Sequence, residues 1–273
     1  MKVAGKVIVV TGGAAGIGRA LATRFIADGA RHVAIVDIDG ARVADTAQSL
    51  GCSGLQADVS MEADIQRVIA ATQAAAGPID LFCSNAGIGD IDPDFGNAAS
   101  ATNETWARDW AVHVMAHVYA ARALLPQMIA RGSGYFLNTS SAAGLLTALG
   151  STVYATTKHA AVAFAESLAI THRDHGIRVS VLCPQAVDTA MIRGAAQATA
   201  KVVADLDGIL TPEQVADCVI EGLDRETFLI LPHPEVGEYI KRKTQDYDRW
   251  IGGMAKLRRG MVAKVGSVGR GPD

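Results

Sequence analysis

The chain has 273 residues, of which 49% are hydrophobic but only 5% aromatic, enough apolar material for one large α/β domain and a poor fit to a β-sandwich. A net charge of −3 supplies no field to recruit nucleic acid, and no apolar run is long enough to span a membrane, so neither partner is expected and a cytoplasmic location is. The cysteines at 52, 83, 183 and 218 have no metal or redox spacing; they read as reduced thiols, and no metal site is expected.

Short Val- and Ile-rich runs alternate with amphipathic stretches as far as about residue 184. The start, "MKVAGKVIVVTGG", reads as a first strand rather than a leader peptide. A helix from about 16 to 28 follows "KVIVV", and a helix through the low 40s follows "HVAIVD". "CSGLQAD" precedes a helix over 61–76, and "IDLFCSNAG" leads through a loop to one long helix over 102–131. "GYFLNTS" is followed by a helix over 152–175 and then by "IRVSVLCP". Strands alternating with helices predict a doubly wound parallel sheet covered on both faces, and no linker or repeat interrupts it. Residues 190–210 are rich in Ala and Gly and are expected to form a small helical lid on the substrate. "TPEQVADCVIEGL" is a helix with Pro212 in its first turn, and "TFLILP" a last strand. Residues 235–273 read as a C-terminal helix and tail of the same single domain, with the last eight or so disordered. Lys241, Arg242, Lys243, Lys256, Arg258 and Arg259 there read as a solvated helix face.

"VIVVTGGAAGIGRAL" places Gly12, Gly16 and Gly18 in a turn between a strand and a helix. Such a turn brings the backbone close to a ligand and offers free helix N–H groups to a pyrophosphate. A tight strand–helix turn needs glycine in any case, so the cluster gains weight from Asp37, which ends the second strand nineteen residues after Gly18. A carboxylate there would hold adenosine ribose hydroxyls and repel a 2′-phosphate, and the turn contains no Lys or Arg. Both points favour NAD over NADP.

The spacing Thr-Gly-x3-Gly-Ile-Gly resembles the short-chain dehydrogenase/reductase family, as do "ADV" at 57–59, "NAG" at 85–87, "SS" at 140–141, Tyr-x3-Lys at 154–158 and "PQAVDTAM" from 184. The resemblance covers about residues 5 to 231. It implies a Rossmann fold and a cofactor surface of Gly12, Ala15, Gly16, Ile17, Gly18, Asp37 and Ile38, with Asp58 and Val59 at the adenine. Asn85, Ala86 and Gly87 fall on the ribose side, Thr189 at the nicotinamide carboxamide, and Tyr154, Lys158, Pro184, Val187 and Met191 complete the set. It also implies that Tyr154 is the general acid/base, Lys158 its partner and Ser141 a donor to the substrate oxygen, with Ala143, Leu149 and Gln185 lining the substrate.

The physics fits those roles. Tyr154 and Lys158 share a helix face, and hydride transfer from a carbinol requires its hydroxyl proton to leave too. Lowering a phenol pKa from about 10 by roughly 3 units needs about 4 kcal/mol, which Lys158 and a cationic nicotinamide in a partly dry cleft are expected to supply. Each residue alone has a bland reading, Ser141 as a turn cap and the Tyr/Lys pair as a solvated face; their agreement with the glycine turn and Asp37 favours catalysis.

Two positions depart from the family pattern. His113 stands seven residues after Trp106, where many members have an asparagine whose carbonyl holds a relay water; a histidine keeps the carbonyl and adds a titratable ring, so His113 is counted with the catalytic group. Gln185 follows Pro184 in place of glycine and is expected to line the wall. The expected wall, 142–149 with Gln185, Ala186 and Met191, has no Arg or Lys clamp. The expectation is therefore an NAD-dependent dehydrogenase or ketone reductase for a neutral, mainly hydrophobic secondary alcohol, working as a homotetramer. Rivals are a polyol or sugar dehydrogenase, a sugar-nucleotide epimerase, and a catalytically silent dinucleotide-sensing protein, which a missing Tyr or Lys would have favoured.

Overall fold

The computed structural model describes residues 1–193 and 207–268. Its centre is a seven-stranded parallel sheet in the order β3-β2-β1-β4-β5-β6-β7. The strands are β1 (Val7–Thr11), β2 (His32–Asp37), β3 (Ser53–Gln56), β4 (Leu81–Ser84), β5 (Gly134–Thr139), β6 (Ile177–Leu182) and β7 (Leu229–Ile230). The helices between them are α1 (Gly16–Ala27), α2 (Gly40–Leu50), α3 (Glu62–Ala76), α4 (Asn103–Trp110), α5 (Ala116–Ala130), α6 (Ala143–Leu146), α7 (Thr152–His172), α8 (Ala190–Arg193) and α9 (Pro212–Arg225). This is the doubly wound arrangement expected from the alternation of patterns.

Every residue of β1 and β4 is buried, because helices cover both faces. On one face Phe82, Phe136 and Val179 pack with Ile65, Val68, Leu124, Ala165 and Leu168. On the other, Ile8, Val10, Leu81 and Leu137 pack with Leu21, Phe25, Val43, Val215 and Val219. The chain leaves β1 toward one sheet edge and returns from β3 to β4 on the other side of β1. A crevice opens where the winding reverses, at the carboxyl ends of β1 and β4.

Several elements differ from the sequence reading. The long helix is broken by a π-helical turn at Ala111–Met115. The third strand shrinks to Ser53–Gln56 and the last to Leu229–Ile230; just beyond them Ala57 donates to the Asp37 carbonyl at 2.9 Å and Phe228 accepts from the Val181 N–H at 2.6 Å. The stretch expected only as an apolar wall contains the short α6. α9 begins as its sequence promises: Thr211 and Gln214 form a reciprocal capping box around Pro212. Of the expected lid, Ala190–Arg193 is helical and Val187 pairs with Leu210, while 194–206 lie outside the described residues.

The chain divides into two compact units, one of Met1–His233 and one from Pro234 on. The second holds α10 (Glu235–Gln245) and α11 (Tyr247–Val268). Its Lys241, Arg242, Lys256 and Arg259 are exposed, and Lys241 pairs with Glu238 at 2.6 Å. Residues 269–273, on which much of the expected disorder falls, lie outside the described set. Among the described residues no helix is long and apolar enough to cross a membrane.

Candidate active site

The turn after β1 is shaped by backbone that only glycine adopts easily: Gly12 has φ 62° and Gly16 φ 51°. At Gly18 a β-carbon would collide with the Gly12 carbonyl, so α1 packs against its own turn. Ala15, the N-cap of α1, provides no side-chain hydrogen bond, which leaves the first N–H groups of the helix open to an anion. Thr189 lies across from this opening, 3.1 Å from where a β-carbon on Gly16 would sit.

Asp37 faces the same turn. One carboxylate oxygen accepts from the Ala14 N–H at 3.3 Å and the other from the Asp39 N–H at 3.2 Å. Ile38 is 65% exposed beside it, an apolar surface turned to solvent. Asp58 accepts from the N–H and hydroxyl of Ser60 at 2.9 and 2.7 Å, and Val59 is buried in the core. Asn85 spends its amide inside the protein, donating to the Thr11 carbonyl at 3.1 Å and accepting from the Thr139 hydroxyl at 3.1 Å. It ties together the ends of β1, β4 and β5, and Ala86 stacks on Gly12.

At the other end of the crevice, Tyr154 and Lys158 project from the first turns of α7. Lys158 is buried, and its ammonium donates to the Thr139 carbonyl at 3.1 Å. Burial lowers its pKa to about 8. Its Nζ lies 5.7 Å from the centroid of the Tyr154 ring. Ser141 accepts from the Ala143 N–H at 3.1 Å and donates to the Pro184 carbonyl at 3.4 Å.

The expected lowering of the Tyr154 phenol pKa relied on Lys158 together with a cationic nicotinamide; Lys158 alone does not produce it. Burial raises its pKa, and a hydrogen bond with Ser141 only partly opposes this. The reason is physical: the phenolate would be desolvated, and Cys183 nearby adds to the rise.

His113 also corrects an expectation. The Ile88 N–H donates to its Nε2 at 3.1 Å, so Nδ1 carries the proton and donates to the Thr157 hydroxyl at 2.9 Å. Burial, reinforced by the Lys158 charge, lowers its pKa to about 2. The ring is a fixed neutral wall, not a group that titrates near neutral pH. The π turn centred on it widens the backbone beside the site.

The loop after β4 brings the expected Gly87 to the site together with Ile88, Gly89 and Asp90, which sequence reasoning missed. Gly87 lies close to both Lys158 and His113, and Gly89 lies against Met191. A cleft of about 500 Å³ is lined by residues 87–90, Arg108, Ala190 and Met191. This cleft shares only Met191 with the expected wall of 142–149, Gln185, Ala186 and Met191, and it adds an arginine, Arg108, whose guanidinium is held by Asp90 and Asp109. No spacing in the sequence links those three. Leu149 is half-buried, Ala143 is buried in α6, and the Gln185 N–H donates to His233 Nδ1 at 3.3 Å. The Gln185 side-chain oxygen is buried with no partner among the described residues.

Comparison with known proteins places this geometry. The short chain dehydrogenase family model matches residues 6–200. The 1-deoxy-11-beta-hydroxypentalenate dehydrogenase of Streptomyces exfoliatus is 35% identical over 248 residues, covering 89% of this chain and 87% of that protein. The 2-(R)-hydroxypropyl-CoM dehydrogenase of Xanthobacter autotrophicus is 34% identical over 68% of this chain and 76% of its own. A short-chain dehydrogenase/reductase from Burkholderia phymatum, solved in complex with NAD, superposes with a TM-score of 0.80 at 27% identity, covering 91% of this chain and 96% of its own. The L-sorbose reductase of Gluconobacter frateurii, solved with NADPH and L-sorbose, gives 0.73 at 26% identity over 85% and 95%. The chain belongs to the short-chain dehydrogenase/reductase family of oxidoreductases.

Proposed function

We propose that the protein is an NAD-dependent oxidoreductase acting on a neutral, mainly hydrophobic secondary alcohol or the corresponding ketone. The observation that carries the cofactor choice is the Asp37 carboxylate beside the glycine turn, within 3.3 Å of the Ala14 N–H. A carboxylate there accepts two ribose hydroxyls and repels a 2′-phosphate. The glycine cradle and the open start of α1 fit a dinucleotide pyrophosphate. When bound, the nicotinamide supplies the hydride acceptor or donor.

The rest belongs to this chain's side chains. Ser141 orients the substrate oxygen by hydrogen bonding. Tyr154 takes the hydroxyl proton in oxidation and returns it in reduction. Its raised pKa keeps the phenol protonated and ready to donate in reduction, and a bound cationic nicotinamide would favour the phenolate that oxidation requires. Lys158 holds a positive charge below the phenol while its pKa of about 8 leaves it mostly protonated at neutral pH. His113, held neutral, packs on the phenol ring. The neutralised Arg108 and the apolar residues of α6 favour an uncharged, apolar substrate.

The test is NADH production from a panel of secondary alcohols, with NADP as control. A sugar or polyol substrate is the second reading, favoured by the likeness to L-sorbose reductase, so the panel includes sugar alcohols. Turnover confined to those would replace the apolar substrate by a polyhydroxylated one, and equal efficiency with NADP would overturn the cofactor assignment.

A further inference from the structure

α7 carries Tyr154 in its first turn, yet it starts without a cap of its own. Ser151, at the N-cap, makes no side-chain hydrogen bond, and the first turn has no acidic residue. Free N–H groups at a helix start need an acceptor, and a short polar side chain next to them in sequence usually supplies it. Here the acceptor comes from far upstream. Asp92 receives the Thr152 N–H on one carboxylate oxygen and the Thr152 hydroxyl on the other, each at 2.9 Å. Its own N–H donates to the Gly150 carbonyl at 2.8 Å. The side chain is 8% exposed, so this is an interior latch rather than a surface pair.

The latch belongs to a continuous belt. Starting at Asn85, which binds Thr11 and Thr139, the chain passes Lys158 and His113 at Gly87 and Ile88. It then touches Met191 at Gly89 and Arg108 at Asp90, and reaches α7 at Asp92. The Phe95 ring next covers Gly150, where a β-carbon would collide with it. The segment that walls the cleft at residues 87–90 thus runs directly on into Asp92 and Phe95, which hold the connector between α6 and α7. That connector is constrained: Thr147, a non-glycine residue, has φ 85°, and Gly150 φ 72°.

We propose that Asp92 is a positioning residue. It fixes the start of α7, and so the Tyr154 phenol relative to Ser141, and it couples the substrate wall at Ile88–Asp90 to the acid/base group. This rests on the reading of Tyr154 as that group. A displacement of about 1 Å at a reacting group can cost on the order of a hundredfold in rate, which is why a cap two residues before Tyr154 matters to chemistry and not only to folding.

Asp92→Ala, Asp92→Asn, Thr152→Ala and Tyr154→Phe are compared as full-length proteins. Three quantities are read: kcat and KM with an alcohol the wild type turns over, NADH affinity by fluorescence, and hydrogen exchange at residues 152–156. Asp92→Ala should lose about tenfold or more in kcat, with NADH affinity within about twofold of wild type and faster exchange at the start of α7. Asp92→Asn, whose amide oxygen still accepts the backbone bond, should recover most of the rate. Thr152→Ala, which keeps the backbone bond and loses the hydroxyl, should fall between, and it carries the test if Asp92→Ala does not fold. Wild-type kcat in Asp92→Ala and Thr152→Ala, even with lowered melting temperature, would reduce the latch to an ordinary cap and overturn the proposal. So would unchanged exchange at residues 152–156. If instead Tyr154→Phe keeps wild-type turnover, the acid/base reading is what fails, and the exchange data still decide the latch.

Discussion

The imidazole of His113 stands edge-on to the phenol of Tyr154, their centroids 5.6 Å apart and their planes at 89°. This is a favourable aromatic geometry, and both His113 nitrogens are engaged elsewhere. His113 thus packs against the phenol without sharing its proton, and the Tyr154 hydroxyl is left to its hydrogen bond with Ser141.

On the proposed reading of Tyr154 as acid/base, Tyr154→Phe removes the proton donor and little else, since the ring keeps its packing. Turnover should drop by about a hundredfold or more, while NADH binding stays near wild type. Steady-state kinetics with fluorescence titration checks both; retention of more than about a tenth of the wild-type rate would be incompatible with Tyr154 as acid/base.

His113 and His117 should make the protein acid-labile. Unfolded, each ring takes up a proton near pH 6.5. Folded, burial delays this to about 2 for His113 and about 3 for His117. Between these limits the unfolded state binds more protons, so stability is complete above about pH 6.5 and falls as pH falls below it, by at most about 1.4 kcal/mol per pH unit per ring. His113→Asn should flatten this decline. Calorimetric melting from about pH 7 to about pH 5 measures it, and identical slopes in both proteins would exonerate the ring.

Asp37 should set cofactor choice. Asp37→Ala removes the repulsion of a 2′-phosphate and two ribose hydrogen bonds, so the preference for NAD over NADP should shrink by about tenfold or more. The ratio of kcat/KM values measures this. An unchanged ratio would move the discrimination to another residue.

The protein should assemble as a homotetramer. On α7 the exposed Thr156, Ala163, Ser167 and Ile170 share one face at helical spacing, three of them small and Ile170 80% exposed. Such a face lets two copies of the helix approach closely across a two-fold axis. Light scattering on the 28.4 kDa chain decides it: a monomeric mass at micromolar concentration rules the assembly out.

What could be read in advance follows from how local each signal is. The strands announced themselves because "VIVV" and "HVAIVD" are buried on both faces, and the glycine turn because Gly12 and Gly16 need positive φ whatever else happens. Tyr154 and Lys158 share a face by spacing alone. Asp92 escaped notice because its partner lies sixty positions away and no periodicity joins them. The Arg108–Asp90 pairing was hidden for the same reason. The π turn around His113 keeps the helical pattern of its sequence and differs only in backbone pairing. The phenol's raised pKa is a property of burial, which the residues at 154 and 158 cannot reveal by themselves.

The position of β1 at the middle of the sheet also governs how the molecule comes into being. Val7–Thr11 is made first, but one of its two flanking strands, Leu81–Ser84, emerges from synthesis some seventy residues later. Until then five consecutive apolar or β-branched residues present an unpaired edge, the kind of surface on which nascent chains aggregate. A fragment ending before Leu81 should therefore precipitate, whereas one ending after β5 already has its central strand enclosed.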